Sequence, residues 1–380
     1  MMNLIPNQRH CFAMPADIHY LNCAYMSPLS HDVMGAIAKG AALKQQPWTY
    51  KPADFFGAAE AFRTKAAAMM QAPADCMAII PSASYGLATA AANVPLHKGQ
   101  EIIVLADQFP SNLYIWRERA RETGAQIVTV QRDKDAAWTD AVLAKIGADT
   151  AIVAVPHCHW ADGGMVDLVA VGVACRAVGA ALVLDLTQSL GALPFDCAAV
   201  QPDFAIAACY KWLMSPYGTG MIYVDPRYHK GNPIEHNWIN RAGSEDFTRL
   251  VDYRDDFQPG ARRFDMGQKS NPPLLMGASA GMDMLQDWGV AAISATLGAM
   301  NDEIANAAAA IGLSALPKDA RAPHFLSLSF PGDVPGDLME KLAAAQVFVS
   351  QRSQSLRVTP HLYNDRADWE PLIAVLDEVK

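Results

Sequence analysis

The sequence lacks several features that would assign it to a special class of protein. Its longest apolar runs, near 151–156 and 180–184, have the length of strands and fall far short of the roughly 20 residues that a membrane helix needs. Its 30 basic and 39 acidic side chains form no run of like charge, so the basic face of a nucleic-acid binder is missing. The N-terminus has no apolar segment or cleavage pattern of a signal peptide. We expect a cytoplasmic protein that binds neither membranes nor nucleic acid.

The sequence also lacks cysteine pairs of the kind that form disulfide frameworks or zinc sites. Its seven cysteines are odd in number and scattered, and none belongs to a Cys-x-x-Cys motif. This pattern is typical of a reducing compartment. His157 and His159 alternate along the chain, and Asp162 is the only carboxylate nearby in sequence, which makes a weak metal site. We therefore predict no bound metal ion.

Short apolar runs alternate with amphipathic, alanine-rich stretches through the middle of the 380 residues. The runs typical of strands are Met77–Ile80, Glu101–Leu105, Gln126–Val130, Ala151–Val155, Ala181–Asp185, Phe204–Ala208 and Gly220–Val224. Apolar residues recur at helical spacing in Tyr85–Asn93, Leu113–Glu122, Ala136–Ile146 and Leu168–Val178. Alternation of strands and helices predicts a largely parallel, doubly wound α/β sheet.

The sequence after Pro272 follows a different pattern and suggests a second domain. A long helical stretch from about 274 to 311 is followed by short segments of both kinds. The strands are expected at 325–329, 347–350 and 356–359, and the helices at 337–344 and 369–379. The N-terminal segment has one helix, at 30–43, and no sheet of its own. We predict a large α/β domain, 47–272, and a discontinuous small α+β domain formed by 1–46 and 273–380.

An acid and a lysine stand at the ends of two neighbouring predicted strands. Asp185 ends one apolar run and Lys211 follows the next, so both should lie at the edge where such sheets bind ligands. A buried lysine is costly unless it is paired or chemically used. Pyridoxal phosphate chemistry requires these two groups: an amine that forms a Schiff base with the aldehyde, and a carboxylate that keeps the pyridine nitrogen protonated. In the alternative interpretation, Asp185 caps a helix and Lys211 extends into solvent.

Three further motifs supply the other contacts that this cofactor needs. Ser82, Ala83 and Ser84 follow a strand and precede a helix, where hydroxyls and N–H groups can bind a phosphate, although a helix cap alone also explains the serines. Phe109 can stack on the pyridine ring, and Arg357 can bind a substrate carboxylate, although singly such residues are more often core and surface. A nicotinamide-dependent oxidoreductase would need a Gly-x-Gly-x-x-Gly turn, which is missing. The presence of Lys211 disfavours a protein that keeps the fold of an enzyme but has lost its catalytic activity.

With these residues the sequence resembles the class V aminotransferases of the fold-type I pyridoxal phosphate enzymes, a group that includes cysteine desulfurases, selenocysteine lyases and kynureninases. The segments that carry the resemblance are Tyr20–Ala24, Ser27–Ser30, Phe109–Tyr114, Asp185–Gln188, Tyr210–Trp212, Arg262–Gly267 and Leu356–Asn364. The resemblance implies a mostly parallel, seven-stranded sheet and a homodimer. In that homodimer, the loop that contains Gln268 would reach the partner's phosphate.

The resemblance also implies a role for each matching residue. Lys211 would carry the cofactor and move protons, Asp185 would pair with the pyridinium, and Gln188 would bond the phenolic oxygen of the ring. The cofactor contacts expected from the motifs and the resemblance are Ser82, Ala83, Ser84, Phe109, His157, Asp185, Gln188, Tyr210, Lys211 and Gln268. The expected substrate contacts are Asn22, Ala24 and Arg357.

The activity that the resemblance implies is pyridoxal 5'-phosphate chemistry at the Cα of an amino acid. We expect an aminotransferase that exchanges amino acids and keto acids, with a cysteine, selenocysteine or kynureninase-like lyase, or a racemase, as alternatives. Desulfurases carry a cysteine shortly before the arginine that binds the carboxylate. The run 347–357 contains none, which disfavours a persulfide mechanism.

Overall fold

A computed structural model describes residues 4–133 and 136–379 of the chain. Its strands are β1 (His19–Tyr20), β2 (Met77–Ile80), β3 (Glu101–Leu105), β4 (Gln126–Val130), β5 (Thr150–Pro156), β6 (Ala181–Asp185), β7 (Phe204–Ala208), β8 (Gly220–Val224), β9 (Leu326–Ser329), β10 (Val347–Phe348), β11 (Ser350–Arg352) and β12 (Ser355–Val358). Its α-helices are α1 (His31–Ala42), α2 (Asp54–Met70), α3 (Ala83–Asn93), α4 (Ser111–Thr123), α5 (Trp138–Leu143), α6 (Leu168–Val178), α7 (Cys197–Val200), α8 (Pro272–Trp288), α9 (Val290–Ala310), α10 (Leu338–Ala344) and α11 (Arg366–Val379).

A seven-stranded sheet in the order β2-β8-β7-β6-β5-β3-β4 forms the centre of the fold. Strand β8 runs antiparallel to β2 and β7, and the other neighbours are parallel. Strands β5, β6, β7 and β8 are buried along their whole length, as expected when helices cover both faces of a sheet. The predicted mostly parallel, seven-stranded α/β architecture is confirmed.

Alternating side chains of each central strand pack into different apolar clusters on the two faces of the sheet. In β6, Leu182 and Leu184 join the cluster on one face, whereas Ala181 and Val183 join the cluster on the other. Because β2, β3, β5, β6 and β7 all point the same way, the loops at their carboxyl ends gather at one edge of the sheet. This edge carries the site described below.

The C-terminal part of the chain forms a smaller antiparallel sheet in the order β11-β12-β9. The N-terminal segment joins this part of the molecule, since β1 pairs with β10 and Asn22 bridges to Thr359. These contacts agree with a small domain built from both ends of the chain, while the proposed boundaries at 46 and 272 stay a prediction. No helix among residues 4–133 and 136–379 has both the length and the apolar character needed to cross a bilayer.

Some predicted elements are shorter or divided in the structure. The long helix expected over 274–311 is divided into α8 and α9 at Gly289, whose positive φ of 79° lies in the left-handed region that favours glycine. The strand expected at 347–350 is two short strands, because β10 pairs with β1 and β11 pairs with β12. The helix expected over 136–146 is the shorter α5.

Candidate active site

A cavity of about 180 Å³ opens at the carboxyl edge of the central sheet. Most of the cofactor contacts expected from the sequence line it, namely Ser82, Ala83, Ser84, Phe109, Asp185, Gln188, Tyr210 and Lys211. Further lining residues include Ser111, Cys158, Trp160, Thr187, Tyr217 and Thr219. The structure thus brings together, in one place, side chains that are widely separated along the chain.

Asp185 is the last residue of β6 and its carboxylate is buried, with 7% of the residue exposed. Its Oδ1 accepts a hydrogen bond from the backbone N–H of Thr187 at 3.0 Å. Burial raises the pKa of Asp185, opposed by the bonds from Thr187 and by the charge of Lys211. Thr187 also accepts a hydrogen bond from the N–H of Ala208 through its hydroxyl, at 3.2 Å, and so joins the ends of β6 and β7. A carboxylate fixed in this way is suited to pair with a ring N–H.

Lys211 lies three residues beyond the end of β7 and is 6% exposed. Its Nζ lies 5.4 Å from the ring centroids of both Phe109 and Tyr210, and it makes no ion pair within the part of the chain that the structure describes. Burial lowers the pKa of Lys211 to about 8, with help from Arg357 and Arg352 and against the attraction of Asp185. The uncharged form that a nucleophile requires is therefore more populated near neutral pH than in an ordinary lysine, although the charged form still predominates.

The side-chain amide of Gln188 is oriented by two buried partners. Its Nε2 donates to the carbonyl of Ala24 at 3.2 Å, and its Oε1 accepts from the indole Nε1 of Trp212 at 3.0 Å. The N–H of Ala24 donates to the hydroxyl of Thr359 at 3.1 Å. Asn22 accepts from the hydroxyl of Ser350 at 2.9 Å. Asn22 and Ala24 therefore lie next to the site, where Ala24 helps to orient Gln188, but neither residue lines the cavity.

The other end of the cavity offers an anion-binding environment at the start of α3. Ser82 caps this helix and accepts a hydrogen bond from the N–H of Tyr85 at 3.2 Å, while the hydroxyls of Ser84 and Ser111 are 3.0 Å apart. The buried hydroxyl of Thr219 has no hydrogen-bond partner among the described residues. Helix N-termini and hydroxyls of this kind bind phosphate groups.

Arg357 is almost fully buried, with 1% of the residue exposed. Its Nη1 donates to the carbonyl of Trp160 at 3.0 Å, whereas its Nε and Nη2 are buried without a partner in residues 4–133 and 136–379. Burial lowers the pKa of Arg357 to about 9, and the nearby charge of Arg352 lowers it further. A carboxylate could satisfy the two free donors with paired hydrogen bonds.

Two of the expected cofactor contacts lie elsewhere. His157 faces a different cavity, together with Asp167 and Phe195, because Pro156 and Cys158 turn toward the site and alternate residues of an extended chain face opposite ways. The structure does not bring His157 to the cavity that the other expected contacts share, and its contact with the cofactor stays a prediction. Gln268 lines a separate cavity of about 770 Å³, beside Trp238.

The structure also shows where His159 lies. Its Nε2 is 3.1 Å from the carbonyl of Ala106, its ring stacks at a tilt on Trp138, and its Nδ1 is 3.3 Å from Asp162. Neither His157 nor His159 belongs to a cluster of three metal-ligating side chains, and the described residues contain no such cluster.

Sequence reasoning missed several residues on the wall of the cavity. Thr187, Cys158 and Thr219 line it beside the residues that were expected. Cys158 could have been found by continuing the alternation of β5 past Pro156. Thr187 carries no comparable signal, since its role depends on a backbone turn.

Comparisons with known proteins agree with this geometry. A sequence profile of the family described as aminotransferase class-V matches residues 50–364. The uncharacterized aminotransferase YcbU of Bacillus subtilis is 24% identical over 327 residues, which cover 83% of this chain and 82% of YcbU. A kynureninase of Deinococcus radiodurans is 26% identical over 289 residues, which cover 73% of this chain and 67% of that enzyme.

Solved structures share the fold at low sequence identity. The apo cysteine desulfurase from Thermococcus onnurineus superposes with a TM-score of 0.86 at 18% identity, and the match covers 99% of both chains. A structure of C-DES with glycine covalently linked to its PLP cofactor has a TM-score of 0.86 at 18% identity, over 98% of this chain and 100% of the other. At such identities the likeness establishes the fold.

Proposed function

The chain belongs to the class-V aminotransferase family, whose cofactor is pyridoxal 5'-phosphate, and from this premise we propose that it acts at the Cα of an amino acid. The observation that carries the proposal is the shared cavity of Asp185 and Lys211. One is a buried carboxylate held by a backbone N–H, and the other is a buried amine without an ion pair among the described residues.

The residues around the cavity fit this cofactor. Asp185 would hold the pyridine nitrogen protonated, and Phe109 would cover one face of the ring. The start of α3 would bind the phosphate, where the unsatisfied hydroxyl of Thr219 adds a donor. Lys211 would form the covalent carbon–nitrogen link. When bound, the group draws electrons from the Cα of the substrate and so weakens the bonds at that atom.

The chain's own residues would then bind the substrate and move its proton. Arg357 would hold the α-carboxylate with Nε and Nη2, which lack partners among the residues described. Lys211 would remove the proton from Cα and return it, a task suited to its pKa of about 8, which burial lowers. Trp160 and Phe109, which contact each other edge to face at 5.5 Å, would limit the access of water.

The reaction that we propose is transamination between an amino acid and a keto acid. The run 347–357 holds no thiol. Cys158, the cysteine on the cavity wall, is buried, and burial raises its pKa well above the usual range, so it is poorly suited to attack sulfur. A lyase is the second candidate, and it is favoured by the kynureninase relatives and by the fold shared with a cysteine desulfurase.

Two measurements test this proposal. After reconstitution, removal of free cofactor and borohydride reduction, peptide mass spectrometry should find the cofactor attached to Lys211. Attachment elsewhere, or none, would overturn the proposed function. Mixing the enzyme with single amino acids and no acceptor should then release keto acid only up to one molecule per site, until a keto acid is added. Turnover that continues without a keto acid, and releases either ammonia or a shorter amino acid, would identify a lyase instead.

The proposal includes a homodimer. Large apolar side chains are exposed near the cavity that contains Gln268, among them Trp238, which is 43% exposed, and Tyr253, which is 92% exposed. A surface of this kind is typical of an interface between proteins. Light scattering coupled to size-exclusion chromatography should give twice the mass of the chain, and a monomer at all concentrations would contradict the dimer.

A further inference from the structure

The hairpin formed by β11 and β12 presents two arginines on one face. Ser350 pairs with Arg357 and Arg352 pairs with Ser355 in this antiparallel ladder. Residues two apart along a strand share a face, so Arg352 and Arg357 are diagonal neighbours on the same side of the hairpin. Sequence analysis identified only the second of them as a site residue.

Both arginines contact the same part of the active-site wall. Arg357 donates to the carbonyl of Trp160 at 3.0 Å, and the guanidinium carbon of Arg352 lies 5.5 Å from the centre of the Trp160 ring. Trp160 itself lines the cavity that holds Asp185 and Lys211. Neither arginine lines the cavity itself, and the hairpin places both guanidiniums against Trp160 on its wall.

Neither guanidinium has an acidic partner in the part of the chain that the structure describes. The Nε of Arg352 is buried without a hydrogen-bond partner there, as are Nε and Nη2 of Arg357. Among the described residues, the Arg352 guanidinium makes one hydrogen bond, from its Nη1 to the carbonyl of Gln351 at 2.7 Å. Unmatched donors on two neighbouring cations are what an anionic ligand would satisfy.

The side chains around the cavity carry more positive than negative charge, which also favours an anionic ligand. Lys211, Arg352 and Arg357 contribute positive charge, and the charges of the two arginines both lower the pKa of Lys211. Asp185 is the carboxylate on the cavity wall, and the pyridine nitrogen would pair with it. The cofactor's phosphate belongs at the start of α3. A substrate that brings one carboxylate would still leave one guanidinium unmatched.

We propose that this enzyme selects amino acids whose side chain ends in a carboxylate, with Arg357 binding the α-carboxylate and Arg352 binding the distal one. The proposal rests on the proposed function, since it names the substrate class of the same site. Trp160 positions both guanidiniums, through its carbonyl for Arg357 and through its ring for Arg352.

Binding of unreactive acids tests this selection directly. Calorimetry on the reconstituted enzyme at fixed ionic strength should show succinate or glutarate binding at least about tenfold more tightly than butyrate, as expected for an added charge-assisted contact. The variant Arg352→Gln should remove this preference, weakening succinate and glutarate much more than butyrate. Arg352→Lys, which keeps the charge and loses the planar fork, should keep part of the preference. Arg366→Gln, an exposed arginine paired with Glu370, is the matched control and should behave as the parent.

The outcomes separate this proposal from the proposed function. Equal binding of butyrate and both dicarboxylates, or a preference that survives in Arg352→Gln, would overturn the role of Arg352, even with the cofactor on Lys211. The opposite outcome is also distinct. If the cofactor never attaches to Lys211 but the preference for dicarboxylates still depends on Arg352, the anion site is supported and the proposed enzyme function is overturned. If Arg352→Gln fails to fold, Arg352→Lys decides: a preference fully equal to the parent's would contradict the proposed planar contact.

Discussion

Two buried arginines in this molecule have almost the same exposure and opposite surroundings. Arg63 is 0% exposed and Arg357 is 1% exposed. Arg63 belongs to a paired cluster with Asp265 and Lys269, whereas Arg357 belongs to an open cluster with Arg352 and Lys211. The charges of the paired cluster stabilise the fold, whereas the charges of the open cluster are available to a ligand.

The paired cluster satisfies its charges within the protein. Asp265 accepts from Nη2 of Arg63 at 2.7 Å, from Nζ of Lys269 at 2.8 Å and from the N–H of Ile79 at 2.8 Å. Burial disfavours both charges, yet the pairing outweighs it, so the pKa of Arg63 is raised and that of Asp265 is lowered. The cluster thereby joins α2 to β2 and to the loop before α8.

The open cluster has the opposite electrostatic character. Burial lowers the pKa of Arg357 to about 9 and that of Lys211 to about 8, and in both cases a neighbouring arginine contributes in the same direction. Charges that are buried without partners cost stability. Strongly shifted groups that gather around one cavity are typical of functional sites, because a ligand can supply the opposite charge that the fold does not.

The largest effect is expected on activity, from Lys211→Ala in the open cluster. The reaction rate should fall by about a thousandfold or more, because the variant loses both the covalent link and the proton carrier. The melting temperature of the cofactor-free protein should stay equal or rise, since the variant removes a buried amine that has no acid partner among residues 4–133 and 136–379. Lys341→Ala, which removes an exposed lysine paired with Asp337, is the control for both measurements. Retained turnover would show that the lysine is misassigned.

The next largest effect is expected on stability, from Asp265→Asn in the paired cluster. Arg63 and Lys269 would then remain buried without their shared carboxylate, which typically costs about 3–5 kcal/mol. Urea unfolding of the cofactor-free protein measures the loss. Asp256→Asn removes an exposed carboxylate paired with Arg254 and should leave the unfolding midpoint in place. If both variants unfold at the same urea concentration, the paired cluster does not stabilise the fold as proposed.

A smaller effect is expected from Arg357→Met, which should separate binding from stability. Loss of the α-carboxylate contact should raise KM about tenfold or more, equivalent to about 1.5–3 kcal/mol. The free energy of unfolding should not fall, because methionine fills similar space without a buried charge. The matched variant Arg63→Met should do the reverse and destabilise the fold. An unchanged KM would exclude Arg357 from the carboxylate site.

Much of the cofactor end of the site could be predicted from the sequence, because its residues are local to strand ends. Asp185 ends one apolar run and Lys211 lies three residues after the next, and these runs form β6 and β7 with the predicted bounds. Parallel pairing then brings them to the same edge of the sheet without further information. His157 lies outside the active-site cavity although its neighbours Pro156 and Cys158 line it, since one residue of difference in an alternating chain reverses the face.

The substrate end could be predicted only in part, because it depends on contacts between distant segments. Arg357 was identified from a motif. Arg352 lies beside it because of the register of β11 and β12, and the register of such short strands cannot be predicted from the sequence. Trp160 meets both arginines from a loop almost 200 residues earlier, at a sequence separation of 197 for Arg357. The break at Gly289 was missed since the apolar pattern continues through it.

The smallest effect concerns the titration of Lys211 and tests whether Arg352 belongs to the open cluster. Because the pKa of Lys211 is lowered to about 8, capture of pyridoxal phosphate by the cofactor-free protein should speed up as pH rises toward 8 and level off above it. Arg352→Gln removes a cation that lowers this pKa, so the midpoint should move to higher pH. Asp185→Asn removes an anion that raises it, so the midpoint should move to lower pH.

Trapping the linked product with borohydride at timed intervals measures the rates, and comparison with the parent cancels the titration of the free cofactor. Arg366→Gln should titrate as the parent does, because Arg366 is exposed and paired with Glu370. A midpoint that stays in place in Arg352→Gln would mean that its charge does not act in the cavity. The open cluster would then consist of Lys211 and Arg357 alone, and one carboxylate would be enough to complete it.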